Sequence, residues 1–420
     1  MNENESEQMA GILKSYGAFP CEKMEESHII IINTCAVREK PVEKLFSLLG
    51  RIQKIKQKNH AVIGVAGCVG QLFKNEITQR NKAVDFVMGP DNLAELPEII
   101  NMRPKMESSP IHTSRNREWR EVNQISRQNR ISAYVTIMKG CDNFCTYCIV
   151  PFAKGREKYR PLKYIIEEIK DLAENGYKEI QLLGQNVNSY KDPDSGKNFS
   201  SLLKEVHQIQ GIEWIRFITS HPKNFTPEII RTMAQNDKIC HQLHLPIQSG
   251  SDSILKAMSR GYNRKEYLEK IKLLKKLMPD ISLSTDIIVG FPGETEKDFY
   301  DTIDILERVG YTNIFSFRYS ERPFTKASAF KDNVPFEIKK KRLIELQETQ
   351  RKIQLKFNKS LIGKKMKVLC MGQSQKNHHS YRGRNEAYQV VNFKSDSDLT
   401  GKFVTIEITD CGPYSLIGKI

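Results

Sequence analysis

Cys141, Cys145 and Cys148 fall in the run Lys139-Gly140-Cys141-Asp142-Asn143-Phe144-Cys145-Thr146-Tyr147-Cys148, a C-x3-C-x2-C triplet. Three thiolates on so short a loop suit three irons of a 4Fe-4S cube and leave the fourth iron without a protein ligand. An iron open in this way binds a chelating molecule, which can then take an electron directly from the cluster. The competing reading is zinc, but a structural zinc site asks for four ligands in paired C-x2-C or Cys/His form, and no such partner lies nearby in the sequence.

The elements that must hold this chemistry are an α/β assembly. Over residues 1–100, apolar runs at 29–33, 61–66 and 84–88 suit strands buried on both faces, with helical stretches between them: a small parallel α/β domain. Two of these runs end in a cysteine, Asn33-Thr34-Cys35 and Ala66-Gly67-Cys68. Parallel strands align their carboxyl ends on one edge, where such sheets bind ligands, so Cys35 and Cys68 are expected to be neighbours. Taken singly, each reads more readily as an inert core thiol. Residues 101–132, with Pro104, Ser108-Ser109-Pro110 and Arg115, Arg117, Arg120, Arg127 and Arg130, read as a basic linker, draped or extended.

In residues 133–360 the alternation becomes more regular. Strands are expected at 134–138, 179–183, 214–218, 242–245, 283–289 and 312–317. A helix after Pro161 carries Leu162, Ile165, Ile166, Ile169, Leu172 and Ala173 on one face and stops at Gly176. Six parallel strands with crossovers predict a partial, TIM-like (β/α)6 barrel with its chemistry at the carboxyl strand ends. The cysteine triplet follows the first strand. Later strands lead into Leu183-Gly184-Gln185-Asn186, Ser220-His221-Pro222, the loop from His244 to Gly250, and Gly290-Phe291-Pro292-Gly293-Glu294. Each alone reads equally as turn chemistry; together they encircle one mouth. Over 361–420 the rhythm is all-β, with strands at 366–370, 388–393 and 403–409 forming a small barrel. Lys364, Lys365, Arg382 and Arg384 make it a candidate RNA-binding surface, the alternative being a packing appendage.

Lys and Arg total 65 against 50 acids, a net charge of +15, which favours a polyanionic partner. A generally basic cytosolic enzyme would share that total, but residues 336–367 hold eleven of the cations against three acids, directly before the candidate RNA-binding barrel. No apolar run approaches the roughly 20 residues of a membrane span. The acidic N-terminus lacks the apolar core of a secretion signal. The nine cysteines have no framework spacing and read as reduced thiols and metal ligands in a cytoplasm.

The triplet with an aromatic before its last cysteine resembles the radical SAM superfamily. The run Asn33-Thr34-Cys35-Ala36-Val37-Arg38-Glu39-Lys40, the run Val65-Ala66-Gly67-Cys68-Val69, and the triplet continuing through Ile149-Val150-Pro151 resemble its methylthiotransferases. Arg38-Glu39-Lys40 and Phe46-Ser47-Leu48-Leu49-Gly50-Arg51 are closest to the branch acting on isopentenylated adenosine in tRNA. The resemblance covers nearly the whole chain: an N-terminal methylthiotransferase domain, a radical SAM barrel and a C-terminal TRAM domain.

That resemblance implies that Cys141, Cys145 and Cys148 hold the catalytic cluster, whose open iron is chelated by S-adenosylmethionine, with Tyr147 beside the adenine. It implies further contacts to that cofactor from Gly184, Gln185, His244, Gln248, Gly290, Gly293 and Glu294. Cys35 and Cys68 match two of three ligands of an auxiliary 4Fe-4S cluster. The third belongs to a Gly-Cys-Gln-Met-Asn segment, and Met1-Asn2 aligns with its last two residues, so that cysteine is expected ahead of residue 1, through a late start codon or a truncation. Cys21, beside Pro20, has no counterpart and reads as a free thiol. The implied reaction cleaves S-adenosylmethionine to a 5′-deoxyadenosyl radical, which takes hydrogen from C2 of the adenine. Sulfur is inserted at that carbon, and a second S-adenosylmethionine supplies the methyl group. Implied partners are the tRNA anticodon loop and an electron donor, for a cytoplasmic monomer with no membrane attachment. Two alternatives stay open: a sister enzyme acting on another tRNA adenosine or a ribosomal protein, and an RNA-binding iron-sulfur protein without sulfur insertion. Phe324, in Glu321-Arg322-Pro323-Phe324-Thr325, stands where the family leads one to expect glycine.

Overall fold

A helix with no apolar stripe to announce it, α1 (Asn2–Ser15), opens the chain and buries Asn4, Glu5, Glu7 and Gln8 alongside Met9 and Ile12. It is followed by β1 (Ile29–Asn33), α2 (Glu39–Asn59), β2 (Val62–Ala66), α3 (Cys68–Arg80), β3 (Phe86–Met88), α4 (Leu96–Met102) and β4 (Ile111–His112). The computed structural model describes residues 1–36, 39–102, 110–115, 118–374 and 377–420. These strands form one parallel sheet in the order β1-β2-β3-β4. β2 and β3 are buried throughout, whereas β1 is the sheet edge and only half-buried at each position, despite four consecutive isoleucines. Helices cover both faces: Leu45, Leu49, Ile52 and Val69 pack with Ile63 and Val65, while Met9, Ile12, Leu96 and Ile99 pack with Val62, Ala66 and Phe86. The basic stretch is not wholly a linker, since β4 comes from it and completes the sheet. Arg117 and Pro104, Ser108 and Ser109 of that stretch lie outside the described residues, as do Val37 and Arg38.

The next strand, β5 (Ser132–Thr136), leads into β6 (Met138–Lys139), the cysteine loop, α5 (Val150–Lys154) and β7 (Lys158–Tyr159). Met1–Gln128, Thr136–Arg160 and Arg322–Thr325 form one unit; Asn129–Val135, Pro161–Glu321 and Lys326–Ile420 form the other.

The second unit continues the βα repeat with α6 (Leu162–Glu174), β8 (Glu179–Leu183), α7 (Phe199–His207), β9 (Trp214–Phe217), α8 (Pro227–Gln235), β10 (Gln242–His244), α9 (Asp252–Ala257), α10 (Arg264–Leu277), β11 (Ser282–Val289), α11 (Glu296–Val309) and β12 (Asn313–Arg318). The helix starts are well marked: Asn263 and Thr295 each close a capping box, and Asn198 and Thr226 accept from the backbone of the first turn. Strands run β5-β8-β9 and β10-β11-β12, and a parallel bridge between Ile215 and Ile239 joins the two sets. This is the partial (β/α)6 barrel.

After α12 (Phe336–Lys359) come β13 (Lys365–Ser374), β14 (Asn377–Asn385), β15 (Val390–Lys394), β16 (Phe403–Cys411) and β17 (Ser415–Lys419), closed as β13-β14-β15-β17-β16. Val368, Cys370, Tyr381, Val391, Phe393, Ile406, Ile408 and Leu416 fill this small barrel. Tyr388, expected to begin a strand, lies instead in the preceding turn at φ 63°. The barrel is fastened to β9. Arg216, fully buried, donates to the carbonyls of Asn385 (2.9 Å) and Glu386 (2.5 Å) and pairs with Glu179 at 2.5 Å, while Trp214 meets Phe403 edge to face at 4.7 Å.

Candidate iron-sulfur site

The β6–β7 hairpin closes the base of the cysteine loop. Gly140 has φ 84°, and a Cβ there would lie 2.0 Å from the Arg156 carbonyl, so only glycine lets the two arms approach. The Cys141 N–H donates to the Gly155 carbonyl at 3.2 Å, and Asp142 pairs with Arg156 at 3.0 Å and accepts from the Glu157 N–H at 3.1 Å. Within the loop, the Cys148 N–H donates to the Cys145 carbonyl at 3.0 Å and Phe144 takes the left-handed conformation at φ 46°. Cys145 is buried; Cys141, Cys148 and Tyr147 are half-buried. Burial pushes the Cys141 thiol up, opposed by hydrogen bonds from Asn143, whose Nδ2 donates to Sγ at 3.4 Å. Three thiols, one already accepting an amide N–H, fit a cluster whose sulfur ligands are tuned by hydrogen bonding. Among the described residues, no three Cys, His, Asp or Glu side chains gather closely enough to enclose a single metal ion. A cube, each of whose thiolates binds its own iron, does not require that.

In the same unit, Cys35 follows β1 and Cys68 opens α3. The loops are knitted by the Thr34 N–H donating to the Ala66 carbonyl (3.1 Å) and the Val69 N–H donating to the Thr34 carbonyl (3.3 Å). Gly67 between them has φ 87°, and a Cβ on it would sit 2.5 Å from Asn33 Oδ1. The two thiols meet: the hydrogen bond with Cys35, and then burial, push the Cys68 thiol well above its ordinary value. Ala153 of α5 packs in one cluster with Ala36 and Cys68. The next residue, Lys154, is buried and paired with buried Glu5. Burial works against the ammonium, but Glu5, with Cys68 and Cys35, holds its pKa above the usual lysine range. Lys139 is also buried, its pKa lowered chiefly by desolvation, and Lys158 pairs with Asp91 at 2.5 Å. Sequence reasoning missed these buried charges. Cys21 is exposed, its thiol donating to the Lys23 carbonyl at 3.2 Å.

The remaining expected cofactor contacts belong to the second unit, after β8, β10 and β11. Gly184 is buried and Gln185 half-buried. His244 Nδ1 lies 3.0 Å from Ser284 Oγ and its Nε2 3.4 Å from Asp286, so neighbouring β11 orients the ring. Gln248 is buried at φ 76°, its N–H donating to the Asp286 carbonyl at 2.9 Å. Gly290 and Gly293 have φ 72° and 86°. Glu294 braces its own loop, accepting from the Gly290 N–H (2.9 Å) and Arg342 (2.7 Å); burial pushes its carboxyl up. The Ser220-His221-Pro222 loop is tied by reciprocal bonds between Asn188 and the His221 backbone, at 2.8 and 2.9 Å. Burial, with Arg260, Lys223 and Lys270 nearby, pushes the His221 imidazole down to about 2.

Of the candidate RNA contacts, Lys364, Lys365 and Arg382 are exposed, while Arg384 is half-buried with its guanidinium 3.9 Å from the centre of the Tyr388 ring. In α12, Lys340, Lys341, Arg351, Lys352, Lys356 and Lys359 are exposed, but Lys339 is buried against Asp332 and Arg342 against Glu294.

Comparison with known proteins identifies the domains and the family. Residues 135–306 match the radical SAM superfamily, residues 1–89 the uncharacterized protein family UPF0004, and residues 359–420 the TRAM domain. The chain is 44% identical to the tRNA-2-methylthio-N(6)-dimethylallyladenosine synthase of Clostridium botulinum strain Langeland, covering all of this chain and 94% of that one. It is 43% identical to the synthase of the same name from Acetivibrio thermocellus, covering 100% and 88%. Among solved structures, the radical S-adenosylmethionine methyltransferase TsrM from Kitasatospora setae superposes with a TM-score of 0.55 at 15% identity, over 76% of this chain and 66% of that one. The cobalamin-dependent S-adenosylmethionine radical enzyme OxsB gives 0.52 at 14%, over 83% and 50%. These distant likenesses concern the fold alone. With the cysteine loop, the second thiol pair and full-length identity of this order, the chain belongs to the radical SAM methylthiotransferases, in the family of the tRNA-2-methylthio-N(6)-dimethylallyladenosine synthases.

Proposed function

We propose that this protein is a transferase of tRNA processing that methylthiolates C2 of N6-isopentenyladenosine beside the anticodon. The observation that carries this reading is one compact unit holding both the C-x3-C-x2-C loop and a second, separate thiol pair. The first suits radical generation and the second suits handling sulfur. When bound, a 4Fe-4S cluster on Cys141, Cys145 and Cys148 supplies the electron that breaks the sulfonium of S-adenosylmethionine, and a second cluster involving Cys35 and Cys68 supplies a sulfur-binding centre. The protein's share is placement. Gly140 and the Asp142–Arg156 clasp fix the loop, Asn143 steadies the Cys141 sulfur, and Tyr147 flanks the adenine. Gly184, Gln185, His244, Gln248, Gly290 and Gly293 line the cofactor, their glycines admitting backbone close to it; Glu294 acts through its loop, as a brace.

The functional divisions are a methylthiotransferase domain over 1–100, a basic connecting segment over 101–132, the radical SAM core with its basic helix over 133–360 and the TRAM domain over 361–420. Lys364, Lys365 and Arg382, with the exposed cations of α12, take phosphates of the anticodon stem-loop, and Arg384 contributes from its stack on Tyr388. The target base sits in a single-stranded loop, so presenting it costs less than extracting it from a duplex. Among the described residues no helix is long and apolar enough to cross a membrane. On this proposal the enzyme works in the cytoplasm as a monomer served by a separate electron donor. The test is mass analysis of tRNA nucleosides from a strain lacking the gene. Isopentenyladenosine should accumulate and its 2-methylthio form vanish; an unchanged 2-methylthio-isopentenyladenosine level overturns the proposal. Anaerobic reconstitution supplies a second readout, with iron content expected to fall in the Cys141→Ser, Cys145→Ser and Cys148→Ser variants.

A further inference from the structure

Phe324 combines two unfavourable features. Its backbone lies in the left-handed region at φ 69°, where glycine is at ease and a bulky side chain is not, and 57% of its surface is exposed. Strain of this kind persists where the surroundings enforce it, and it clusters at functional positions. The turn is firmly built: Thr325, itself buried, donates through Oγ1 to the Arg322 carbonyl at 2.8 Å. The ring is not stray either. It leans on Phe152, with centroids 6.4 Å apart and planes tilted by 33°. Phe152 stands on α5, four residues beyond Cys148, and its carbonyl accepts from the Arg115 guanidinium at 2.5 Å. In the cysteine loop Phe144 repeats the pattern, left-handed and 44% exposed, with the Arg156 guanidinium 5.2 Å from its ring centre. Exposed aromatic faces beside guanidinium groups are what an unpaired nucleobase stacks on.

We infer that Phe324, backed by Phe152, is a stacking platform for an unpaired base of the RNA loop and helps position the substrate. This inference rests on the proposed tRNA function. The test uses the anaerobically reconstituted full chain and a synthetic isopentenylated anticodon stem-loop carrying 2-aminopurine next to the modified base. Phe324→Gly relieves the backbone strain, so its melting temperature should equal or exceed that of the parent. Its affinity for the stem-loop should nevertheless fall about ten-fold, within the range for one lost aromatic stack, and quenching of the 2-aminopurine should be lost. Phe324→Tyr should restore both readouts. Phe324→Leu, which keeps apolar bulk without a flat face, should behave as Phe324→Gly. Unchanged affinity and quenching in Phe324→Gly, or full binding by Phe324→Leu, overturns the platform while leaving the tRNA function intact. A parent protein that binds no isopentenylated stem-loop sinks both.

Discussion

Lys154 and Glu5, 149 residues apart in sequence, form an ion pair with side chains only 4% and 3% exposed, beside the Cys35–Cys68 thiols. Burial raises the energy of either charge, yet Glu5 stays below its usual range because burial is outweighed by Lys154 and Lys139. Removing one partner strands the other in a low dielectric, a loss of about 3–5 kcal/mol, whereas removing both costs much less. Urea denaturation of the apo protein should therefore show Lys154→Met and Glu5→Gln each strongly destabilised, and the double variant less so than the sum. Additive losses would mean that the two charges are not coupled.

Arg216 offers a second sealed charge with a different duty. Its guanidinium serves Glu179 and two carbonyls of the C-terminal barrel at once and lies 4.8 Å from the ring centre of Trp214 and 4.9 Å from that of Tyr388. Arg216→Ala should cost about 3–5 kcal/mol through the orphaned Glu179 and the unsatisfied carbonyls. Arg216→Lys should recover little, since an ammonium lacks the planar fork. Limited proteolysis should cut between barrel and α12 faster in both variants; parent-like digestion patterns would refute this.

Asp298 predicts a pH effect. Burial would raise its carboxyl, but hydrogen bonds from Ser251, Ser253 and Thr295 hold it down to about 2. A depressed carboxylate adds stability above its unfolded pKa, near 4, and forfeits it as pH falls towards 2. The contribution should be on the order of 1 kcal/mol once solvent screening is allowed for. Asp298→Asn should melt lower than the parent at pH 6, and the gap should narrow steadily as the pH falls from about 4 towards 2. A gap independent of pH would show that packing, not charge, was lost.

Charge counting along α12 leads to a fourth expectation. Each exposed cation that meets a phosphate should add about 0.7–0.9 to the slope of log affinity against log salt. Replacing Lys340 or Lys352 by Gln should reduce that slope with little change in stability. Lys339 and Arg342 are committed to Asp332 and Glu294, so their replacement should lower the melting temperature and leave the slope alone.

Element types were legible where a side-chain period met a clear boundary. The stripe of α6, with Leu162, Ile165, Ile169 and Leu172 buried, and the alternation of β16 could be read directly. Four isoleucines marked β1 as a strand but not as an edge, because the number of neighbours is a tertiary property. The helix α1 was hidden because its buried face is polar, with Asn4, Glu5 and Glu7 meeting Thr136, Lys154 and the Gln128 N–H from far along the chain. β14 and β17 lack a sustained apolar alternation, and β4 has only two residues. The site divides in the same way. Cysteine spacing is local and speaks for itself, whereas Glu5–Lys154 and Arg342–Glu294 arise from long-range pairing, and nothing in a lysine's or arginine's letter tells how deep it lies.

The fastening of the C-terminal barrel bears on any attempt to dissect this protein. Shortening the chain at α12 would uncover the indole of Trp214 and strip Leu369 from its packing with Cys240. What remained would be a sticky, weakened sheet in place of an enzyme merely blind to RNA. The C-terminal barrel and the sheet behind it are packed as one piece, so a loss of turnover after such a cut would say nothing about how substrates are recognised.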